Sequence, residues 1–177
     1  MDNGQWKVVH CRFFMRHAIR FENDALVFSA SHFITFGEPE KVEALHGHNF
    51  RIRAEVAGPL NRRAYVVDFV AAFDSLKKIC ESLSHKVLLP RDHPYIKIKT
   101  AAETMTVTLP PLSWSFPKDD AVALPLKNTT TEALAEYIAF LFRRELEKGA
   151  AFESADDQYQ ITIELEETTG MWAVCRS

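Results

Sequence analysis

The stretch LHGHNFRIRAEVAGP, residues 45–59, decides the fold. From residue 49 to 56 it alternates: Phe50, Ile52, Ala54 and Val56 fall on one face, and Arg51, Arg53 and Glu55 on the other. A period of two marks a strand in a sheet with one buried face and one wet face. Gly58-Pro59 ends the strand. Ahead of the alternation stand His46 and His48. Residues two apart in extended backbone point the same way, so the two imidazoles share a face. Gly47 between them lets other groups come close.

Segment 6–16 is rich in Val, Phe and Met and reads as a strand. Segment 25–33 reads as another, after a polar break at Glu22-Asn23-Asp24. Residues 69–83 read as a helix with Phe69, Phe73, Leu76, Cys80 and Leu83 on one stripe and Asp68 as its cap. A second helix is expected over 130–148, with Leu134, Tyr137, Ile138, Leu141, Phe142 and Leu146 on its apolar face. Thr129-Thr130-Thr131-Glu132 has the spacing of a capping box, and Gly149 sits at a plausible stop. Two last strands are expected at 158–165 and 171–176. Segment 90–126 holds most of the prolines, two strand-like pieces at 96–98 and 104–109, and the aromatics Trp114 and Phe116. It reads as an inserted hairpin or lid, not a second domain.

The chain has 177 residues, of which 47% are hydrophobic, so one ordinary folded domain spanning 1–177 is expected. A formal net charge of −3, with both signs dispersed, gives no general attraction to nucleic acid or anionic membranes. Cys11, Cys80 and Cys175 are odd in number and far apart, which argues against a disulfide framework and for a reducing compartment. The polar first residues lack a signal-peptide core, and no apolar run reaches membrane-spanning length. A soluble cytoplasmic protein is the expectation.

His32 closes the segment Phe28-Ser29-Ala30-Ser31-His32. If its strand neighbours the His46/His48 strand, three imidazoles converge. Three neutral nitrogen ligands suit zinc and leave a fourth position open, the pattern of a catalytic site. A His-x-His pair alone is common, and strand order is not readable from these residues.

Taken in order, several blocks resemble the 6-pyruvoyl-tetrahydropterin synthases and the related 6-carboxy-tetrahydropterin synthases. Segment 28–32 looks like the family's first zinc segment and Leu45-His46-Gly47-His48-Asn49-Phe50 like its second. Val66-Val67-Asp68-Phe69 looks like the strand-to-helix junction, and Leu83-Ser84-His85-Lys86 like the catalytic Leu-Asp-His segment. Asn128-Thr129-Thr130-Thr131-Glu132 looks like the opening of the second helix. Glu166-Glu167-Thr168 looks like the pterin anchor. The resemblance implies an α+β tunnelling fold (T-fold): a four-stranded antiparallel sheet with two helices, here with the inserted hairpin or lid. It implies zinc on His32, His46 and His48, a pterin substrate, and homo-oligomeric rings, trimers or hexamers, with sites between subunits.

Three departures bear on the chemistry. Val42 stands where the family has its cysteine base, but Glu43 stands three before His46. The E-x-x-H-G-H pattern resembles a variant subgroup in which glutamate replaces the cysteine. That subgroup is associated with cleaving the side chain of dihydroneopterin triphosphate to 6-hydroxymethyl-dihydropterin. Glu43 is then the candidate base and His85 the proton shuttle. Ser84 replaces the aspartate that would charge His85, and Asp92 is a conceivable substitute. The insertion follows His85. Glu167 is the candidate pterin anchor, since a carboxylate accepts from an amino group and a ring N–H together. By parity it points away from Glu164 and Glu166. Thr130 and Glu132 are weaker substrate-binding candidates, because a capping box explains them equally well. Two rivals stay open: a catalytically inactive zinc- and pterin-binding homologue, and a fold relative whose histidines are structural.

Overall fold

A computed structural model describes residues 17–37, 41–149 and 159–177. In chain order the elements are β1 (His17–His32), β2 (Thr35–Phe36), β3 (Lys41–Val42), β4 (His46–Gly58), α1 (Phe69–Leu83) and β5 (Lys86–Pro90). Then come β6 (Lys97–Thr100), β7 (Thr104–Leu109), β8 (Leu112–Pro117), β9 (Ala121–Leu124), α2 (Thr131–Lys148), β10 (Gln160–Thr168) and β11 (Met171–Arg176). The expected strand at 6–16 lies outside the described residues.

The main sheet runs β11-β10-β4-β1-β5-β9. Its first four strands are antiparallel, as expected. Two more are a correction to the four-stranded expectation: β5 pairs parallel with the end of β1, and β9 parallel with β5. These short apolar runs cover an edge that would otherwise stand open. The polar Glu22-Asn23-Asp24 does not end β1. The register shifts there, so that residues 23–26 lie opposite Ile52 alone. One long bulged strand replaces the expected break.

Alternation in β4 is as read: Phe50, Ile52, Ala54 and Val56 are buried and Arg51, Arg53 and Glu55 are not. The buried face packs under both helices. Phe28 stacks on Phe50 with ring centroids 5.0 Å apart. Each such buried ring is worth about 1.5–3 kcal/mol of transfer free energy. On the wet face Arg53 pairs with Glu22 at 2.6 Å, Arg51 with Asp24 at 2.9 Å, and Arg20 with Glu55.

Helix α1 has the expected bounds, and the Asp68 carboxylate accepts from the Ala71 amide at 2.9 Å. Its buried stripe is Ala72, Leu76, Ile79, Cys80 and Leu83. Phe69 is 56% exposed, its ring edge-on to Phe21 of β1 at 5.5 Å. Burial pushes the Cys80 thiol up to about 11, the behaviour of an inert core cysteine. In α2 the cap is Thr130, whose hydroxyl accepts from the Ala133 amide at 3.3 Å. The capping box starting at Thr129 therefore does not form. Gly149 closes the helix, its amide bonding back to Glu145 and Glu147.

The insertion is one strand larger than the expected hairpin. β6, β7 and β8 form a three-stranded antiparallel sheet, after which the chain returns to the main sheet as β9. Its buried face makes a second apolar cluster with Phe33, Leu89 and Val42. Phe33 follows His32 directly, so the insertion buttresses the end of β1. His93 belongs to this support: its Nδ1 accepts from the amides of Tyr95 and Ile96, and its Nε2 lies 2.8 Å from Thr35 Oγ1.

Candidate metal centre and active site

Register builds the site. In the β1–β4 ladder His32 stands opposite His46, and Ala30 opposite His48. His32, His46 and His48 thus project from the helix-covered face at one end of the sheet. Their ring centroids are 4.8 Å (32–46), 5.3 Å (32–48) and 4.7 Å (46–48) apart. One nitrogen from each lies within 4.8 Å of the others, so the three could hold a metal ion. Phe50, two residues on from His48, floors the cluster at 5.5 Å from His32 and 5.6 Å from His48. Gly47 faces Ser31, where a Cβ would come within 3.3 Å of the hydroxyl.

The donor set fits a cation. His32 is 1% exposed, and its Nδ1–H donates to the Thr129 carbonyl at 2.8 Å. That bond puts the lone pair on Nε2, which is buried without a hydrogen-bond partner. Such an orphaned nitrogen is costly unless something electrophilic meets it. His46 is set the same way, Nδ1–H donating to the Ala44 carbonyl at 2.8 Å. In metal sites a ligand ring is commonly oriented by a hydrogen bond from its other nitrogen. Burial lowers the His32 pKa, against the raising effects of Thr129 and Glu167, with His46 and His48 lowering it further. The neutral ring, which is the ligating form, is favoured.

Asn128 and Thr129 are the positioning residues that sequence reasoning did not assign. The Asn128 side chain pairs with the backbone of Thr35 in both directions, at 3.3 and 2.9 Å. Thr129 Oγ1 donates to the Phe33 carbonyl at 2.7 Å. The loop that starts α2 is thereby stitched to residues 32–35, and its carbonyl fixes the His32 ring. A run of small polar residues before a helix was the only signal, and it reads first as a cap.

Glu167 comes to the histidines. It points to the helix-covered face, whereas Glu166 reaches Arg51 on the wet face at 3.8 Å. Its Oε1 is 3.1 Å from His32 Nε2 and 3.8 Å from His48 Nε2. The β10–β11 register shifts between Glu166 and Thr168, so Glu167 sits in a bulge. Bulges beside functional sites commonly re-aim a side chain. Glu43 follows β3 with an exposed side chain, its amide bonded to the Ile34 carbonyl at 3.0 Å. Val42 turns into the insertion's apolar cluster.

His85 has a left-handed backbone, φ 58°, uncommon for a residue with a Cβ. Its amide bonds to the Ser29 carbonyl at 2.6 Å, and Ser84 Oγ lies 3.0 Å from its Nδ1. Together with His48, Ser31 and Lys86 it lines an open cleft of about 520 Å³. Asp92 is paired with Arg91 at 2.9 Å rather than with His85. Glu132 is exposed in the first turn of α2, and Thr130 is committed to its cap.

A curled sheet backed by two helices is the T-fold architecture, and here three convergent histidines that could hold a metal ion stand at its end. The family model described as 6-pyruvoyl tetrahydropterin synthase matches residues 23–177, and the chain belongs to that family of lyase-type pterin enzymes. A Methanocaldococcus jannaschii protein named "Putative 6-carboxy-5,6,7,8-tetrahydropterin synthase" is 34% identical over 118 residues, 64% of this chain and 69% of that one. The 6-pyruvoyl tetrahydropterin synthase of Plasmodium vivax superposes with a TM-score of 0.80 at 24% identity, covering 92% of this chain and 98% of that one. The Plasmodium falciparum enzyme does so with a TM-score of 0.79 at 25% identity and the same coverage. Two further P. vivax structures are described as catalytic residue mutants, with a glutamate changed to alanine or to cysteine. Among the described residues no helix is long and apolar enough to cross a membrane.

Proposed function

We propose that the protein is a zinc-dependent pterin lyase acting on dihydroneopterin triphosphate or a close relative, cleaving the side chain to 6-hydroxymethyl-dihydropterin. The carrying observation is the trio of histidines, with an orphaned, buried Nε2 on His32 and with Glu43 three residues before His46. Zinc held by His32, His46 and His48 would polarise the oxygens of the substrate side chain. Cleavage between two hydroxyl-bearing carbons needs a base to take a hydroxyl proton as the carbon–carbon bond breaks. It needs an acid to return a proton to the ring-side carbon. The products are then the hydroxymethyl pterin and a phosphorylated two-carbon aldehyde. Glu43 takes the first proton and His85 supplies the second. Glu167 accepts from the amino group and ring N–H of the pterin. That a glutamate is described as catalytic in the P. vivax fold neighbour supports a carboxylate base on this scaffold.

Ser84 favours a second reading, a zinc- and pterin-binding homologue without turnover. A serine 3.0 Å from His85 Nδ1 cannot stabilise an imidazolium by charge. Incubation with dihydroneopterin triphosphate, with products identified by mass, separates the two. The hydroxymethyl pterin is expected. Pterin binding with unchanged substrate would overturn the lyase in favour of the binding protein.

We also propose a homo-oligomer, trimer or hexamer. Among the described residues, β11 ends the main sheet with an unpaired edge, and no helix lies over the face carrying Arg20, Arg53 and Glu55. Light scattering at micromolar concentration is expected to give at least three times the chain's 20.2 kDa. A monomeric mass would contradict this.

A further inference from the structure

The contact between His32 and Glu167 is too close for two uncommitted groups and wrongly directed for a hydrogen bond. His32 Nε2 and Glu167 Oε1 are 3.1 Å apart, yet Nε2 has no hydrogen-bond partner. The proton of the ring is on Nδ1, given to Thr129. With the ring neutral, two lone-pair atoms face each other in a half-buried site, and a cation between them makes the approach favourable. Two ligands bound to one zinc at the tetrahedral angle stand about 3.3 Å apart, given metal–ligand bonds of about 2.0–2.1 Å. The 3.1 Å and 3.8 Å separations of Glu167 Oε1 from His32 and His48 bracket that edge. The bulge at Glu167 supplies the aim.

We infer that Glu167 is a fourth metal ligand in the substrate-free protein, released when a pterin ring claims its carboxylate. The inference rests on the metal-site reading above and adds a second state to it. Without substrate the position beside the histidines is closed by the chain's own carboxylate. An arriving ring draws the carboxylate away by offering it two donors, which opens the position for the side-chain oxygens. Metal and ring then compete for one group. By linkage each must weaken the other's binding by the same factor.

The test uses Zn2+, Co2+ and a pterin that lacks a side chain. Glu167→Gln is expected to weaken Zn2+ binding at least about tenfold in a chelator competition. It should also change the visible absorption of the Co2+-loaded protein, which reports the ligand set directly. In the wild type, saturating ring-only pterin should weaken Zn2+ binding and move the Co2+ spectrum toward that of Glu167→Gln. Circular dichroism controls for folding, and Glu167→Asp, too short to reach, should behave like the glutamine variant. Wild type that binds Zn2+ while both variants match it in affinity and spectrum would overturn the inference alone. Wild type that binds neither ion would overturn the metal reading itself, and this inference with it.

Discussion

Glu43→Gln protein is expected to keep its zinc and its pterin while turnover falls by a factor on the order of 10²–10⁴, the usual range for removing a general base. The amide nearly matches the carboxylate in shape but cannot take a proton. The side chain is exposed, and the residue is held through its backbone amide at the Ile34 carbonyl. The loss should therefore fall on kcat and not on stability or ring binding, because the proton moves only in the chemical step. The neighbouring position offers no rescue. Val42 packs with Phe33 and Leu89 in the cluster that the insertion closes. A cysteine there would be buried among apolar groups, where a thiol is a poor proton acceptor because its thiolate is disfavoured. Steady-state kinetics with metal content and pterin titration on the same preparation decide the matter. An unchanged kcat would make the carboxylate a bystander.

What the sequence made legible was local and periodic. The alternation in β4 set the buried face, and the His-x-His pair at its start set where the imidazoles point. The stripe of α1 and its Asp68 cap gave that helix its bounds. What stayed hidden was pairing between segments distant in the chain. β5 and β9 are apolar runs too short to announce a partner, and their parallel pairing appears only once β1 is in place. The register that sets His32 opposite His46 lies just beyond the bulge at residues 23–26, which no periodicity predicts. The Glu167 bulge is a similar case: parity read its face correctly, but its reach to His32 depends on a register shift. Thr129 was hidden for another reason. Its role is carried by a backbone carbonyl, which every residue has.

Single histidine-to-alanine variants should all lose zinc, but only one should also lose stability. A site with three imidazole donors that loses one is expected to bind zinc at least on the order of 10²-fold more weakly, beyond the effect of disturbing an outer-shell partner. For His48→Ala the fold should tolerate the change, since the ring is 20% exposed and sits beside a cleft open to water. His32 is different. It is 1% exposed, and its removal leaves a cavity above Phe50 and the Thr129 carbonyl without its donor. An abandoned buried acceptor alone costs about 1–3 kcal/mol. At about 2–4 °C per kcal/mol for a chain of this size, the metal-free His32→Ala protein should melt several degrees below metal-free wild type. Metal-free His48→Ala should melt close to it. Comparing the proteins without metal separates the packing role of the ring from its role as a ligand, because bound zinc would stabilise only the variants that still hold it. Elemental analysis after dialysis and thermal unfolding of the stripped proteins are the two measurements. Full zinc occupancy in the triple-alanine variant would remove the metal site. Equal melting of the two stripped single variants would remove the distinction between the buried, carbonyl-anchored ligand and its partly exposed neighbour.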